Sequence, residues 1–286
     1  MTTFLFALVI VSACLAVFVR WLEPRFAFFP TPGETTTPRD FGVAFEPAAI
    51  DTADRERLRV WHLHAESPRA LVVYFHGNGG NLSVWAPILA VVARHGYDLI
   101  AFDYRGYGLS TGRPSESGLY RDVDAIVPHA AASRRASLPL VYWGRSLGST
   151  MAAYASTRHR PDGLILESGF PDARALVRSS PLLALLAPFS TYRFPTVEHA
   201  NSERAPVLVM HGTADSVIPV EMGRALYDRL EGAKTFVEIV GGDHNDTRPP
   251  DERAYWRAVD DFISLLDVKT PSPGRSQLAR RFGAGP

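Results

Sequence analysis

Five residues, Gly144-Arg145-Ser146-Leu147-Gly148, constrain this chain more than any other stretch. The apolar run LPLVYW at 138–143 precedes them with the character of a buried strand, and STMAAYA at 149–155 follows with the character of a helix. A G-x-S-x-G pentapeptide between strand and helix forces a turn so tight that side chains at the two glycines would strike the neighbouring elements. Ser146 is then left at a strained apex, its hydroxyl above the sheet and near the positive end of a helix.

The alternation around that turn repeats along the chain. Apolar runs predict strands over residues 70–75, 97–102, 138–143, 163–166, 207–210 and 235–240. Amphipathic spacing predicts helices over 82–95, 117–133, 146–158, 220–230 and 251–266, with Asn81 as an N-cap and Gly96 as a stop. Two further segments, 41–45 and 58–64, are expected to form an antiparallel pair at the sheet edge. Strands alternating with helices give an α/β fold with a mostly parallel sheet covered on both faces. In such sheets the chemistry sits at the carboxyl ends of the strands.

A serine hydroxyl needs a base to take its proton. Of nine histidines, His244 follows the last expected strand in the loop GGDHND, which should open at the same edge as Ser146. His211 and His76 also end strands; His76 is expected to brace its own loop. Asp215, just past a strand end in HGTADSVIP, is the expected carboxylate for the base, with Glu167 as the alternative. Asp243 and Asp246 are expected to stabilise their loop. A developing oxyanion needs backbone donors, expected from Leu147 and from Asn78 in HGNGGN, where the flanking glycines let the backbone approach a substrate.

Zero net charge in 286 residues gives no reason to expect a nucleic-acid partner. No metal-ligand cluster, P-loop, dinucleotide fingerprint or repeat is evident. One cysteine, Cys14, leaves the redox compartment open. Residues 2–19 carry no charge, close to the roughly 20 needed to cross a bilayer, which predicts a single-pass membrane anchor over 1–22. A cleaved signal and a buried helix are the competing readings; Arg20 and Arg25 after the run favour a cytoplasmic domain. A Pro- and Thr-rich linker is expected at 23–40, lying on a domain that spans 41–268, and a disordered tail at 269–286. Residues 170–204 interrupt the alternation. They are expected either as a lid over the site, with Leu182, Leu185 and Leu186 facing substrate, or as a connection packed on the core.

The stretches HGNGGN, DYRGYGLSTG, GRSLGS, HGTADSVIP and GGDHND, in this order, resemble the alpha/beta-hydrolase superfamily over roughly residues 62–267. They are most similar to membrane-anchored serine hydrolases related to serine aminopeptidase-like esterases and depalmitoylases. The resemblance implies a central eight-stranded sheet, no cofactor, Ser146 as nucleophile, Asp215 as acid, His244 as base, and Asn78 and Leu147 as oxyanion donors. The expected activity is hydrolysis of a small-molecule or lipid-like acyl ester or thioester. A peptidase or amidase activity, or a non-catalytic tethered binding protein, are the alternatives.

Overall fold

The computed structural model describes residues 28–135, 137–179 and 191–266, with residues 6, 10, 14, 15, 17, 18, 23–25 and 27 of the N-terminal stretch. The expected lid residues Leu182, Leu185 and Leu186, the tail at 269–286 and most of the expected anchor lie outside the described residues. Among the described residues no helix is long and apolar enough to cross a membrane. Phe6, Ile10, Val17 and Phe18 are exposed.

The strands are β1 (Phe29–Pro30), β2 (Phe45–Asp51), β3 (Arg57–Leu63), β4 (Ala70–Phe75), β5 (Gly79–Gly80), β6 (Tyr97–Phe102), β7 (Leu140–Arg145), β8 (Gly163–Glu167), β9 (Val207–Gly212) and β10 (Lys234–Ile239). The helices are α1 (Leu82–Arg94), α2 (Glu116–Ser133), α3 (Leu147–Arg158), α4 (Ala173–Ser179), α5 (Thr196–Glu203), α6 (Val220–Arg229) and α7 (Glu252–Ser264). The main sheet has eight strands in the order β10-β9-β8-β7-β4-β6-β3-β2. All neighbours are parallel except β3, which runs antiparallel to both β6 and β2.

The central strands are apolar throughout because both faces are covered. Val73 and Phe75 on β4 and Tyr142 on β7 join one core with Leu119, Val123, Met151 and Leu226 of α2, α3 and α6. Their neighbours Val72, Tyr74, Val141 and Trp143 point the other way, into a core with Leu89 of α1 and Trp256 and Phe262 of α7. Asn81 caps α1 by accepting from the Val84 N–H at 3.1 Å, and Gly96, at φ +90°, ends the turn beyond it.

The first edge strand departs from expectation. It begins at Phe45 and runs to Asp51, whereas Phe41 closes a short 3-10 helix, Pro38–Phe41. Glu46 and Pro47 disguise it in the sequence, and both are tolerated because an edge strand has one open side. The segment before it lies on the domain. Phe28 is buried, β1 pairs in parallel with β5, and the Asn81 side-chain amide donates to the carbonyls of Thr31 and Gly33 at 3.1 and 2.8 Å. Arg59 grips Glu34 through two hydrogen bonds of 2.8 and 2.7 Å.

Candidate active site

Strand β7 ends at Arg145 and α3 begins at Leu147, so Ser146 alone makes the turn, at φ 58° and ψ −122°. That left-handed φ is unfavourable for a residue with a side chain, and the surroundings hold it there. A Cβ on Gly144 would lie 2.0 Å from the Gly148 carbonyl oxygen, and one on Gly148 would lie 1.9 Å from the Phe75 carbonyl oxygen. Both are impossible contacts with backbone, which is why these positions require glycine. The Ser146 N–H donates to the Glu167 carbonyl at 2.8 Å, and the Ser149 hydroxyl links the Gly144 and Glu167 carbonyls.

His244 reaches this turn from the loop after β10. Its Nε2 is 3.0 Å from Ser146 Oγ and its Nδ1 is 2.7 Å from Asp215 Oδ2. A carboxylate can only accept, so Nδ1 carries the proton and Nε2 presents its lone pair to the serine hydroxyl. Asp215 follows β9, and its other oxygen accepts from the N–H groups of Val217 and Ile218 at 3.0 and 2.7 Å. Burial pushes the Asp215 carboxyl up, but hydrogen bonds from His211, His244 and the Ile218 N–H outweigh it and hold the group well below the usual carboxylate range. It is an anion facing the imidazole.

The alternatives fall elsewhere. His211 donates to the Ile218 carbonyl at 2.8 Å and lies behind Asp215. Glu167 accepts from Trp143 Nε1 and the Tyr255 hydroxyl at 3.0 and 3.1 Å, beneath the sheet edge. His76 donates through Nδ1 to the Gly77 carbonyl at 2.7 Å, within its own loop. Asp243 accepts from the Ser216 N–H at 2.7 Å, and Asp246 accepts from the Asp243 N–H at 2.8 Å.

Asn78 and Leu147 border the same cleft as Ser146 and His244. The Asn78 side chain is committed elsewhere: its amide donates to the Ala27 carbonyl at 2.5 Å, and the Tyr107 hydroxyl donates to its Oδ1 and carbonyl, each at 2.9 Å. What Asn78 can offer a ligand is its backbone N–H. Leu147 opens α3, where the first N–H groups have no acceptor within the helix. A negative oxygen between these two amides and Ser146 would be stabilised by both and by the helix dipole.

The cleft has a volume of about 940 Å³. Phe170, Leu176 and Phe194, from the described flanks of the 170–204 insertion, form part of its wall, with Leu15 and Phe18 from the N-terminal stretch. Elsewhere in the described part of the insertion, α5 packs on α3, joined by a 2.7 Å hydrogen bond between Thr150 and Thr196. Among the described residues no group of three or more His, Cys, Asp or Glu could hold a metal ion.

One residue of the site drew no notice in the sequence. Arg145, beside the serine, is buried and donates from Nη2 to the carbonyls of His244 and Asp246, each at 2.8 Å. Its sequence signature is only a charge at the end of an otherwise apolar strand; the strand register then sets it opposite Glu167.

Residues 66–204 match the family described as serine aminopeptidase, S33, and residues 185–277 match the TAP-like protein family. The chain is 32% identical to the uncharacterized membrane protein YNL320W of Saccharomyces cerevisiae, covering 79% of this chain and 82% of that protein. It is 32% identical to the lysophosphatidylserine lipase ABHD12 of Macaca fascicularis, covering 62% of this chain and 50% of that protein. Among solved structures, the Pyrococcus furiosus esterase Pf2001 superposes with a TM-score of 0.63 at 21% identity, covering 83% of this chain and 100% of that one.

Proposed function

We propose that this chain, which belongs to the alpha/beta-hydrolase superfamily, is a serine hydrolase that cleaves carboxylic esters or thioesters through an acyl-enzyme on Ser146. The observation that carries the reading is the continuous relay from Asp215 Oδ2 through His244 to Ser146 Oγ, at 2.7 and 3.0 Å. His244 Nε2 takes the Ser146 proton as Oγ forms a bond to the acyl carbon. The carbonyl oxygen becomes an oxyanion held by the N–H groups of Asn78 and Leu147. The imidazolium, stabilised by Asp215, returns its proton to the leaving oxygen or sulfur as that bond breaks. Water then enters, gives a proton to His244 and attacks the acyl carbon; the acid leaves as Oγ recovers the proton.

The cleft supports an apolar acyl group. Each methylene buried against walls such as Phe170, Leu176 and Phe194 contributes about 0.8 kcal/mol, roughly fourfold in kcat/KM. Medium acyl chains are therefore preferred to acetyl, with Leu182, Leu185 and Leu186 as further candidate contacts. Amide or peptide bonds are the second reading, favoured by the S33 match. We propose also that the uncharged run at 2–19 tethers the domain to a membrane, a reading supported by the relative named as a membrane protein. The weak excess of arginine after that run favours a cytoplasmic domain.

A fluorophosphonate probe tests the central claim, because it reports an activated serine whatever the substrate. The wild-type chain should label and Ser146→Ala should not. Labelling that persists in Ser146→Ala would move the nucleophile to another residue; a wild type that neither labels nor hydrolyses p-nitrophenyl esters would sink the assignment and leave the binding-protein reading.

A further inference from the structure

Arg145 places a guanidinium in the protein interior with its side chain only 9% exposed. Such a charge is costly to bury unless its donors and its charge are both answered. Its Nη2 holds the main-chain carbonyl of His244 itself and that of Asp246, each at 2.8 Å. Its charge is answered by Glu167, whose Oε1 lies 3.7 Å from Nε, a charge contact longer than a hydrogen bond. Glu167 is locked in turn by Trp143 and Tyr255. The Trp85 ring lies 5.7 Å from the guanidinium carbon. Arg145 is also the last residue of β7, bonded directly to Ser146.

We propose that Arg145 is a positioning residue for His244, tying the loop that carries the base to the strand end that carries the nucleophile. Glu167 completes the device by balancing a cation that would otherwise oppose the imidazolium formed in each half-reaction. This rests on the reading of Ser146, His244 and Asp215 as the reacting groups. The geometry explains why one strand end can set the distance between two side chains that lie 98 positions apart in sequence. The charges facing His244 are Asp215 from the loop after β9, Arg145 from β7 with Glu167 behind it from β8, and Asp243 and Asp246 from its own loop.

The test uses the full-length protein in detergent with p-nitrophenyl butyrate. Arg145→Ala should lower kcat about a hundredfold with KM little changed, because the base is displaced rather than the substrate. Guanidinium or methylguanidinium at millimolar concentration should restore part of the loss, and Arg145→Lys should fall between. In Glu167→Gln the uncompensated cation should move the acid limb of the kcat/KM profile to lower pH; in Arg145→Ala the remaining carboxylate should move it to higher pH. If kcat in Arg145→Ala is near wild type, or falls without rescue while neither variant moves the acid limb, the positioning role is overturned. Should Arg145→Ala fail to fold, the acid limb of Glu167→Gln and the kcat of Arg145→Lys decide alone. Retained turnover in Ser146→Ala would overturn the underlying reading instead, so the two failures are distinguishable.

Discussion

Ser146 and His244, the proposed nucleophile and base, meet at one hydrogen bond, yet the loops that carry them are held in different ways. The Ser146 turn is fixed by backbone sterics: two glycines pressed against carbonyl oxygens, and main-chain bonds to β8. The His244 loop adds side-chain ties to its main-chain bonds: Arg145 to two of its carbonyls, Asp243 to Ser216, Asp246 to Asp243, and Thr213 to the Gly241 N–H at 2.8 Å. Steric locks admit almost no substitution, because backbone cannot step aside. The exposed side-chain ties can be removed one at a time, each at a cost near that of one hydrogen bond, whereas the buried Arg145 costs more because Glu167 is left unpaired.

The largest expected effect comes from breaking the steric lock. Gly148→Ala puts a methyl against the Phe75 carbonyl, so it should destabilise the fold by about 4 kcal/mol or more and abolish labelling; a thermal melt measures the first. A mild phenotype would mean the elbow is more compliant than its geometry indicates. Next is Asp215, the anion that faces the His244 imidazole. Asp215→Asn should reduce ester turnover by about ten-thousandfold and also lower the melt, since an amide fits the same space but lacks the charge that the surrounding donors stabilise.

These two regions were also unequally legible in the sequence. The elbow could be read because glycine spacing between a strand and a helix has one steric meaning. The residues that meet Ser146 could be found because a parallel sheet delivers strand ends to one edge, and both Asp215 and His244 follow strands. The ties of the base loop were hidden. Arg145 and Glu167 end apolar runs, where a charge usually marks only the return to solvent; their pairing depends on the register of β7 with β8, which no local pattern encodes. The β1–β5 pairing was hidden too, because two residues against Gly79–Gly80 leave no periodicity to detect.

Smaller effects sharpen the contrast. Asp243→Ala removes one exposed tie, so it should lower the melt only slightly and cost less than about tenfold in kcat. A loss as large as that of Asp215→Asn would show that the base loop is cooperative rather than a sum of ties. The smallest effect lies far from both loops. His62 on β3 and His129 on α2 share a 2.9 Å hydrogen bond between their Nε2 atoms. Burial, reinforced by His129 and His64, holds His62 below its ordinary value, and burial does the same for His129. Both imidazoles are thus kept neutral in the fold but take up protons freely once unfolded. Their contribution is complete above pH 6.5 and is lost as the pH falls below it. Thermal melts from pH 8 to pH 5 should show this decline, and His62→Gln should flatten it; an unchanged slope would assign the decline to other groups.

The bond from Asn78 to the Ala27 carbonyl gives the N-terminal segment a second identity. A tether normally transmits only location. Here the stretch that leads away from the apolar run is woven into the loop facing Ser146, through the β1–β5 pairing and Asn81. A chain cut back to residue 41 would keep the eight-stranded sheet and its covering helices but lose the strut behind the loop that carries Asn78.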